Sequence, residues 1–265
     1  MKSYPLITFF SLAYLTSWVI WLPLYGPALG IEGLPTLPYH HAIGGFGPMI
    51  AAFITAWIVD GRAGVMDLLR RCAQWRPTLY LLIALLSPFV LALIAIAGNS
   101  IATGAQFELS GLLISKEFPE FNLLTFFIYN LIFFGFGEEV GWRGFALPRF
   151  QAKFNALTSG LVLTVFWALW HWPLFFYRPG YVSMDMAGIF GWVFSLLTGS
   201  ILLSWLHNSS RGSILICAIF HSTIDIAFTA DLPDKAVVGY MGFLITVWGI
   251  LTIVIFKPRN LAKAA

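Results

Sequence analysis

Eight stretches of this chain, each about twenty residues long and nearly free of charge, dictate the solvent it folds in. A helix needs roughly 20 apolar residues to cross the ~30 Å hydrocarbon core of a bilayer, where no water can satisfy an irregular backbone. The stretches run over about 5–24, 41–59, 77–97, 122–147, 157–176, 187–206, 212–230 and 236–256. Their continuous apolar character shows neither the alternation of a membrane-barrel strand nor a heptad. Composition agrees, since charged residues are 10% of the chain, hydrophobic residues 59% and aromatic residues 17%, whereas a soluble domain carries about 25% charged residues to hydrate its surface. The expected fold class is all-α: a polytopic transmembrane helical bundle of about eight spans, one membrane domain over 1–265, with the lipid bilayer as its first partner.

The first stretch resembles a signal peptide, with Lys2 ahead of an apolar run, but its length and the presence of Trp18, Trp21 and Pro23 argue for a span. Turn chemistry punctuates the remainder at Gly30 to Pro38, Asp60 to Pro77, Pro148, Arg178 with Pro179 and Gly180, Leu232 with Pro233, and Pro258. Gly44, Gly45 and Gly47, and Gly188 with Gly191, are read as points of close helix packing rather than a phosphate cradle. Cys72 and Cys217 share no CxxC spacing, so neither a disulfide framework nor a thiolate zinc site is expected.

With the amino terminus placed in the cytoplasm, the inside set is Lys2, Arg62, Arg70, Arg71, Arg76, Arg143, Arg149, Lys153, Arg211, Lys257, Arg259 and Lys263. Only Lys116, Arg178 and Lys235 fall outside. Twelve basic residues against three is a strong positive-inside bias, which predicts both termini in the cytoplasm, with the plasma membrane of a prokaryote as the expected location. Glu32, Glu108, Glu117, Glu120, Asp185, Asp231 and Asp234 lie on the opposite side. The net charge of +3 is too small and dispersed to track phosphates, so no nucleic-acid partner is expected; it fits a topology signal and an affinity for anionic headgroups.

Within the spans remain Glu138, Glu139, Asp225, Arg143, His171 and His221. An ionisable group at mid-depth costs about 2.5–3.5 kcal/mol on insertion scales, so such residues pair, face an aqueous cavity or carry chemistry. At 1.5 Å per residue, Glu138 stands about 13 Å from the inner end of its helix, His171 about 21 Å, His221 about 13 Å and Asp225 about 20 Å. Three helices thus bring polar groups to one depth band. Glu139 and Arg143, four apart with the acid first, are placed to form an ion pair. Glu138 points about 100° away and has no local cation, which makes it the better candidate for catalysis.

At these residues the sequence resembles the type II CAAX prenyl endopeptidases and their bacterial relatives, the CAAX protease and bacteriocin-processing (CPBP) intramembrane proteases. The family pattern is Glu-Glu-x-x-x-Arg, Phe-x-x-x-His and His-x-x-x-Asn or Asp. Here it reads Glu138, Glu139 and Arg143; Trp167 and His171; His221 and Asp225, within a core of about 122–230. The resemblance implies that Glu138 and His171 activate water and that His221 with Asp225 stabilises or orients around the oxyanion, supported by Glu139, Arg143 and Trp167. It implies an intramembrane endopeptidase of the glutamate type, without cofactor, acting on a membrane-associated or prenylated protein or peptide. Trp167 stands where the family has Phe. Asp225 stands where the prenyl endopeptidases have Asn, and an ionised carboxylate there repels developing negative charge.

Other chemistries remain open on the residues alone. Zinc held by Glu138, His171 and His221 is the alternative cofactor reading, since carboxylate and imidazole are both zinc ligands. No Gly-x-Ser-Gly or His-Glu-x-x-His motif occurs. Gly135 to Glu138 is similar to the Gly-x-Gly-Asp motif of intramembrane aspartyl proteases, with Asp225 as a second acid. Outside catalysis, the polar cluster also fits an ion-coupled transporter or a membrane binding or immunity protein.

Overall fold

The computed structural model describes residues 4–232, 234 and 236–262, together with the backbone of Lys235. Lys2, Lys263, Pro233 and the side chain of Lys235, all of which figured in the reading above, lie outside the described residues. The architecture is all-helical: α1 Pro5–Tyr25, α2 Gly47–Cys72, α3 Thr78–Thr103, α4 Leu123–Gln151, α5 Ala156–Trp170, α6 Met186–Ser209, α7 Ile214–Phe228 and α8 Lys235–Asn260. Among the described residues, seven helical segments are long and apolar enough to cross a bilayer. This is an integral, multi-pass membrane protein. Its outer faces carry the exposed apolar side chains expected against lipid, such as Leu15 and Val19 on α1, Leu82 and Leu86 on α3, and Val254 and Ile255 on α8.

Three boundaries differ from the sequence reading. The seventh expected span is the shorter helix α7, about 22 Å long. Ser213 begins it by accepting the Ile216 N–H, and neighbouring helices bury most of its side chains. Residues 62–72, expected as part of a loop, are helical and extend α2 beyond a break at Gly61, whose φ of 63° is left-handed. Leu68 buries its side chain and Arg71 donates to the Gly144 carbonyl at 2.7 Å, so that extension packs against α4 rather than hanging in solvent. Pro148 does not end α4 either. It occupies the first turn of the segment Leu147–Gln151, where a missing N–H costs least.

Contacts between the connections show that the chain shuttles between two ends. One end is tied by Arg149 to Asp60 at 2.6 Å, Gln74 to the Ser210 carbonyl at 2.7 Å and Asn208 to the Asn260 carbonyl at 2.7 Å. The other is tied by His40 to the Ile20 carbonyl, by Asn99 to Asp234 at 2.9 Å, by the Ser115 and Ala230 backbones, and by the ion pair of Arg178 with Glu117.

Helix α4 is wound unevenly. Leu131–Phe136 and Val140–Ala146 are π-helical, flanking the short α-turn Gly137–Glu139 that carries both glutamates. Such wide turns are concentrated at functional sites because they re-aim side chains without ending a helix. Glycines let this helix sit deep in the bundle. A Cβ on Gly135 would stand 2.7 Å from the Ala218 carbonyl of α7, and one on Gly141 2.6 Å from Pro48 of α2. The close approach expected at Gly44, Gly45 and Gly47 is present: a Cβ on Gly47 would lie 2.8 Å from the Ala13 carbonyl of α1. The same expectation fails on α6, where a Cβ on Gly191 would meet nothing within 4 Å and one on Gly188 would meet only its own helix start, Met184 and Asp185. Cys72 and Cys217 are free thiols.

Candidate active site

Glu138 lies at the wall of a cavity of about 310 Å³ and is 3% exposed. Its Oε2 accepts two indole N–H groups, from Trp167 at 2.7 Å and from Trp142, one α-helical turn further along its own chain, at 3.3 Å. No cation hydrogen-bonds to it among the described residues. The carboxylate is therefore held by neutral donors in an apolar wall.

Glu139, on the adjacent face, lies behind that wall and is fully buried. Its Oε1 accepts from Arg143 Nη1 at 2.9 Å and from His221 Nδ1 at 2.7 Å. The first contact is the ion pair that the four-residue spacing predicts. The second joins α4 to α7 across 82 positions of sequence and gives Glu139 a task beyond neutralising Arg143. Arg143 is also fully buried, with its guanidinium 4.7 Å from the centre of the Trp167 ring. Trp167 thus contacts Glu138 through its N–H and Arg143 through its face. Its ring also meets those of His171 and His221, each 5.8 Å away between centroids.

His171 caps the carboxyl end of α5. Its Nδ1 lies 2.7 Å from the Trp167 carbonyl, which can only accept, so Nδ1 carries a proton and Nε2 is left with a free lone pair in the neutral ring. Trp170, Tyr181 and Trp192 enclose the ring, with Tyr181 nearly parallel to it at 12°. Burial pushes the Tyr181 phenol up from its ordinary range, so it stays a neutral donor at the cavity wall. His221 directs its Nε2 toward Asp225 Oδ2 at 3.6 Å, too long for a direct hydrogen bond. The nearer carboxylate to His221 is Glu139.

Glu138, Trp167, His171, His221 and Asp225 all line the one cavity, while Glu139 and Arg143 support it from behind. Sequence reasoning passed over His41, Tyr181 and Trp192, which line it too. His41 hydrogen-bonds Tyr177 Oη at 2.6 Å and stacks on Trp21, whose N–H holds the His41 carbonyl at 2.7 Å. It begins the second apolar stretch and has no partner at helical spacing; its membership of the cavity is purely tertiary. Among the described residues no group of three or more His, Cys, Asp or Glu side chains is placed to hold a metal ion.

Residues 120–227 match a family model described as type II CAAX prenyl endopeptidase Rce1-like. The chain is also similar to a CAAX prenyl protease 2 from Methanococcus maripaludis, 29% identical over 136 residues, which cover 49% of this chain and 46% of that protein. The match thus spans about half the length of the curated relative. Every motif residue described above falls within the matched segment.

Proposed function

Taking as its premise that the motif-bearing core is related to the CAAX prenyl and CPBP endopeptidases, we propose that this protein is an intramembrane endopeptidase in which Glu138 and His171 activate a water molecule. The observation that carries the proposal is the environment of Glu138: a buried carboxylate at a cavity wall, fixed by two indole N–H groups, with no cation hydrogen-bonded to it among the described residues and with the free Nε2 of His171 in the same cavity. A carboxylate so placed can accept a proton from water, and an imidazole with an unprotonated nitrogen can orient that water.

The chemistry then balances without a covalent enzyme intermediate. Glu138 takes one proton from water as the oxygen attacks the peptide carbonyl carbon, and the carbonyl π electrons move to oxygen. His221 donates through Nε2 to that oxyanion, while Glu139 holds its Nδ1–H and favours the imidazolium. Collapse of the tetrahedral intermediate expels the amine, which receives the proton from Glu138. The products are a carboxyl-terminal and an amino-terminal fragment.

The test is Glu138→Gln, which keeps size and hydrogen bonding but cannot take a proton. A comparative search for new membrane-protein termini in cells expressing the wild-type or the Gln protein should find products that vanish with the variant, at wild-type expression and thermal stability. A stable Gln variant that leaves the same termini removes Glu138 as the base.

A further inference from the structure

The cavity has a sidedness that its motifs do not reveal. Its wall includes Glu117 and Phe118 from the α3–α4 connection, Arg178 and Tyr181 from the α5–α6 connection, and Thr229 at the end of α7. These connections gather at one end of the bundle, bound to each other by the Glu117 and Arg178 ion pair and by the Ser115 and Ala230 backbones. The connections at the other end, residues 73–77, 152–155 and 210–213, contribute nothing to it. Depth agrees. Asp225 is eleven residues, about 16 Å, from the start of α7 and only about 5 Å from its end at Phe228.

The two ends differ in charge as sharply as in access. The closed end carries Arg62, Arg70, Arg76, Arg149, Lys153 and Arg211, with Lys257 and Arg259 beside them. The end where the cavity opens carries Lys116, Arg178 and Lys235 against a majority of acids, and Arg178 is already paired with Glu117. Basic residues flanking spans are retained in the cytoplasm during insertion, whereas acids contribute little to orientation. Trp75 with Arg76 at the closed end and Trp172 at the open end, all three exposed or half-buried, provide interfacial anchors on both faces.

We infer that the reaction chamber opens to the extracytoplasmic side of the membrane, so that its substrate is an extended apolar peptide segment presented from the outer leaflet or the outer aqueous face, not a tail emerging from the cytoplasm. This rests on the endopeptidase reading for the word substrate, but not for the access route. A chamber of about 310 Å³ holds a few side chains of an extended strand, not a folded domain. Its aromatic walls at Phe126, Phe134 and Trp192 favour apolar ones, and at the rim Glu117 and Arg178 neutralise each other.

The experiment uses the full chain with Cys72→Ala and Cys217→Ala, carrying one new thiol: Thr229→Cys at the mouth or Lys153→Cys at the opposite end, with Ser183→Cys, exposed on the α5–α6 connection at the mouth's end of the bundle, as a second position there should Thr229→Cys fail to accumulate. In sealed right-side-out vesicles a membrane-impermeant maleimide should label the rim thiol at once and Lys153→Cys only after detergent. Labelling of Lys153→Cys in sealed vesicles, with the rim thiol protected until the membrane is opened, overturns the inference. A quenched fluorescent apolar peptide is then supplied to right-side-out and to inverted vesicles of the unaltered protein. Cleavage in the right-side-out vesicles alone supports the inference, and cleavage in the inverted ones alone overturns it. Cleavage in neither, with labelling as expected, leaves the access route standing and counts against the endopeptidase reading instead.

Discussion

Glu139 is the residue whose two contacts make opposing demands on a mutation, and that makes it separable into parts. Removing its charge alone strands the fully buried Arg143, whose Nε and Nη2 have no hydrogen-bond partner among the described residues. Breaking one side of a buried pair costs about 3–5 kcal/mol, a large share of a stability of about 5–15 kcal/mol, so Glu139→Gln is expected to unfold readily and to report little about chemistry. Replacing both partners is different, since apolar substitution of a buried pair is often neutral or stabilising. In Glu139→Gln with Arg143→Met the Gln carbonyl still accepts from His221 Nδ1, which now faces a neutral acceptor instead of a charged one at 2.7 Å. A hydrogen bond to a charged group is worth about 1.5–3 kcal/mol and a neutral one about 0.5–1.5, so the lost charge support is about 1–1.5 kcal/mol, or about 5- to 10-fold in turnover. Glu139→Leu with Arg143→Met removes the acceptor altogether and should cost about 10- to 150-fold. The assay is single-turnover cleavage of a quenched peptide in proteoliposomes, paired with thermal unfolding followed by tryptophan fluorescence. Wild-type turnover in both double variants, at wild-type stability, would refute the link from Glu139 to His221 and leave the pair architectural.

Other outcomes follow from single contacts. Trp167→Phe removes the 2.7 Å donor to Glu138 while Trp142 remains at 3.3 Å; turnover should fall by less than about 10-fold, and a loss beyond 1000-fold in the same peptide assay would show that the indole N–H is itself indispensable. Asp225→Asn should lower turnover by no more than about 10-fold, because Asp225 stands 3.6 Å from His221 while Glu139 makes the direct bond; a loss above 100-fold would restore Asp225 as the principal partner. Gly141→Ala gains about 1 kcal/mol of helix propensity but places a methyl 2.6 Å from Pro48, at a cost of about 1–3 kcal/mol, so the melting temperature should drop rather than rise. Exhaustive chelation should leave cleavage unchanged, and loss of activity restored by zinc would return the metal reading.

What could be read from the chain alone follows the range of the interactions involved. The spans were legible because a bilayer imposes its thickness on every helix, and Glu139 with Arg143 because four residues is a local distance. Trp142, likewise four residues from Glu138, was within the same reach and went unread. The bond from His221 to Glu139, the indole of Trp167 on Glu138 and the place of His41 beside Tyr177 were not legible, since each joins segments far apart in the chain. Periodicity also misjudged what it assumed. A uniform 100° per residue does not describe a helix with two π-helical stretches around its glutamates. The Arg-rich stretch 62–72 looked like a loop because its charge hid the apolar face that Leu68 buries.

The substitution of Asp for Asn at 225 also looks different once the distances are known. By sequence spacing Asp225, four residues after His221, shares its helix face, and its negative charge stands awkwardly beside a developing oxyanion. In the structure the carboxylate bonded to His221 is Glu139, which Arg143 also holds and which does not line the cavity. Asp225 is left on the cavity side of His221, at the end of α7 nearest the mouth, beyond direct hydrogen-bonding distance of the imidazole. On the proposed mechanism, an imidazolium between two carboxylates, one near and hidden, one farther and facing the chamber, keeps a donor directed at the oxyanion whether position 225 is charged or neutral. On that mechanism the bond from His221 to Glu139, on another helix, leaves position 225 open to either Asn or Asp.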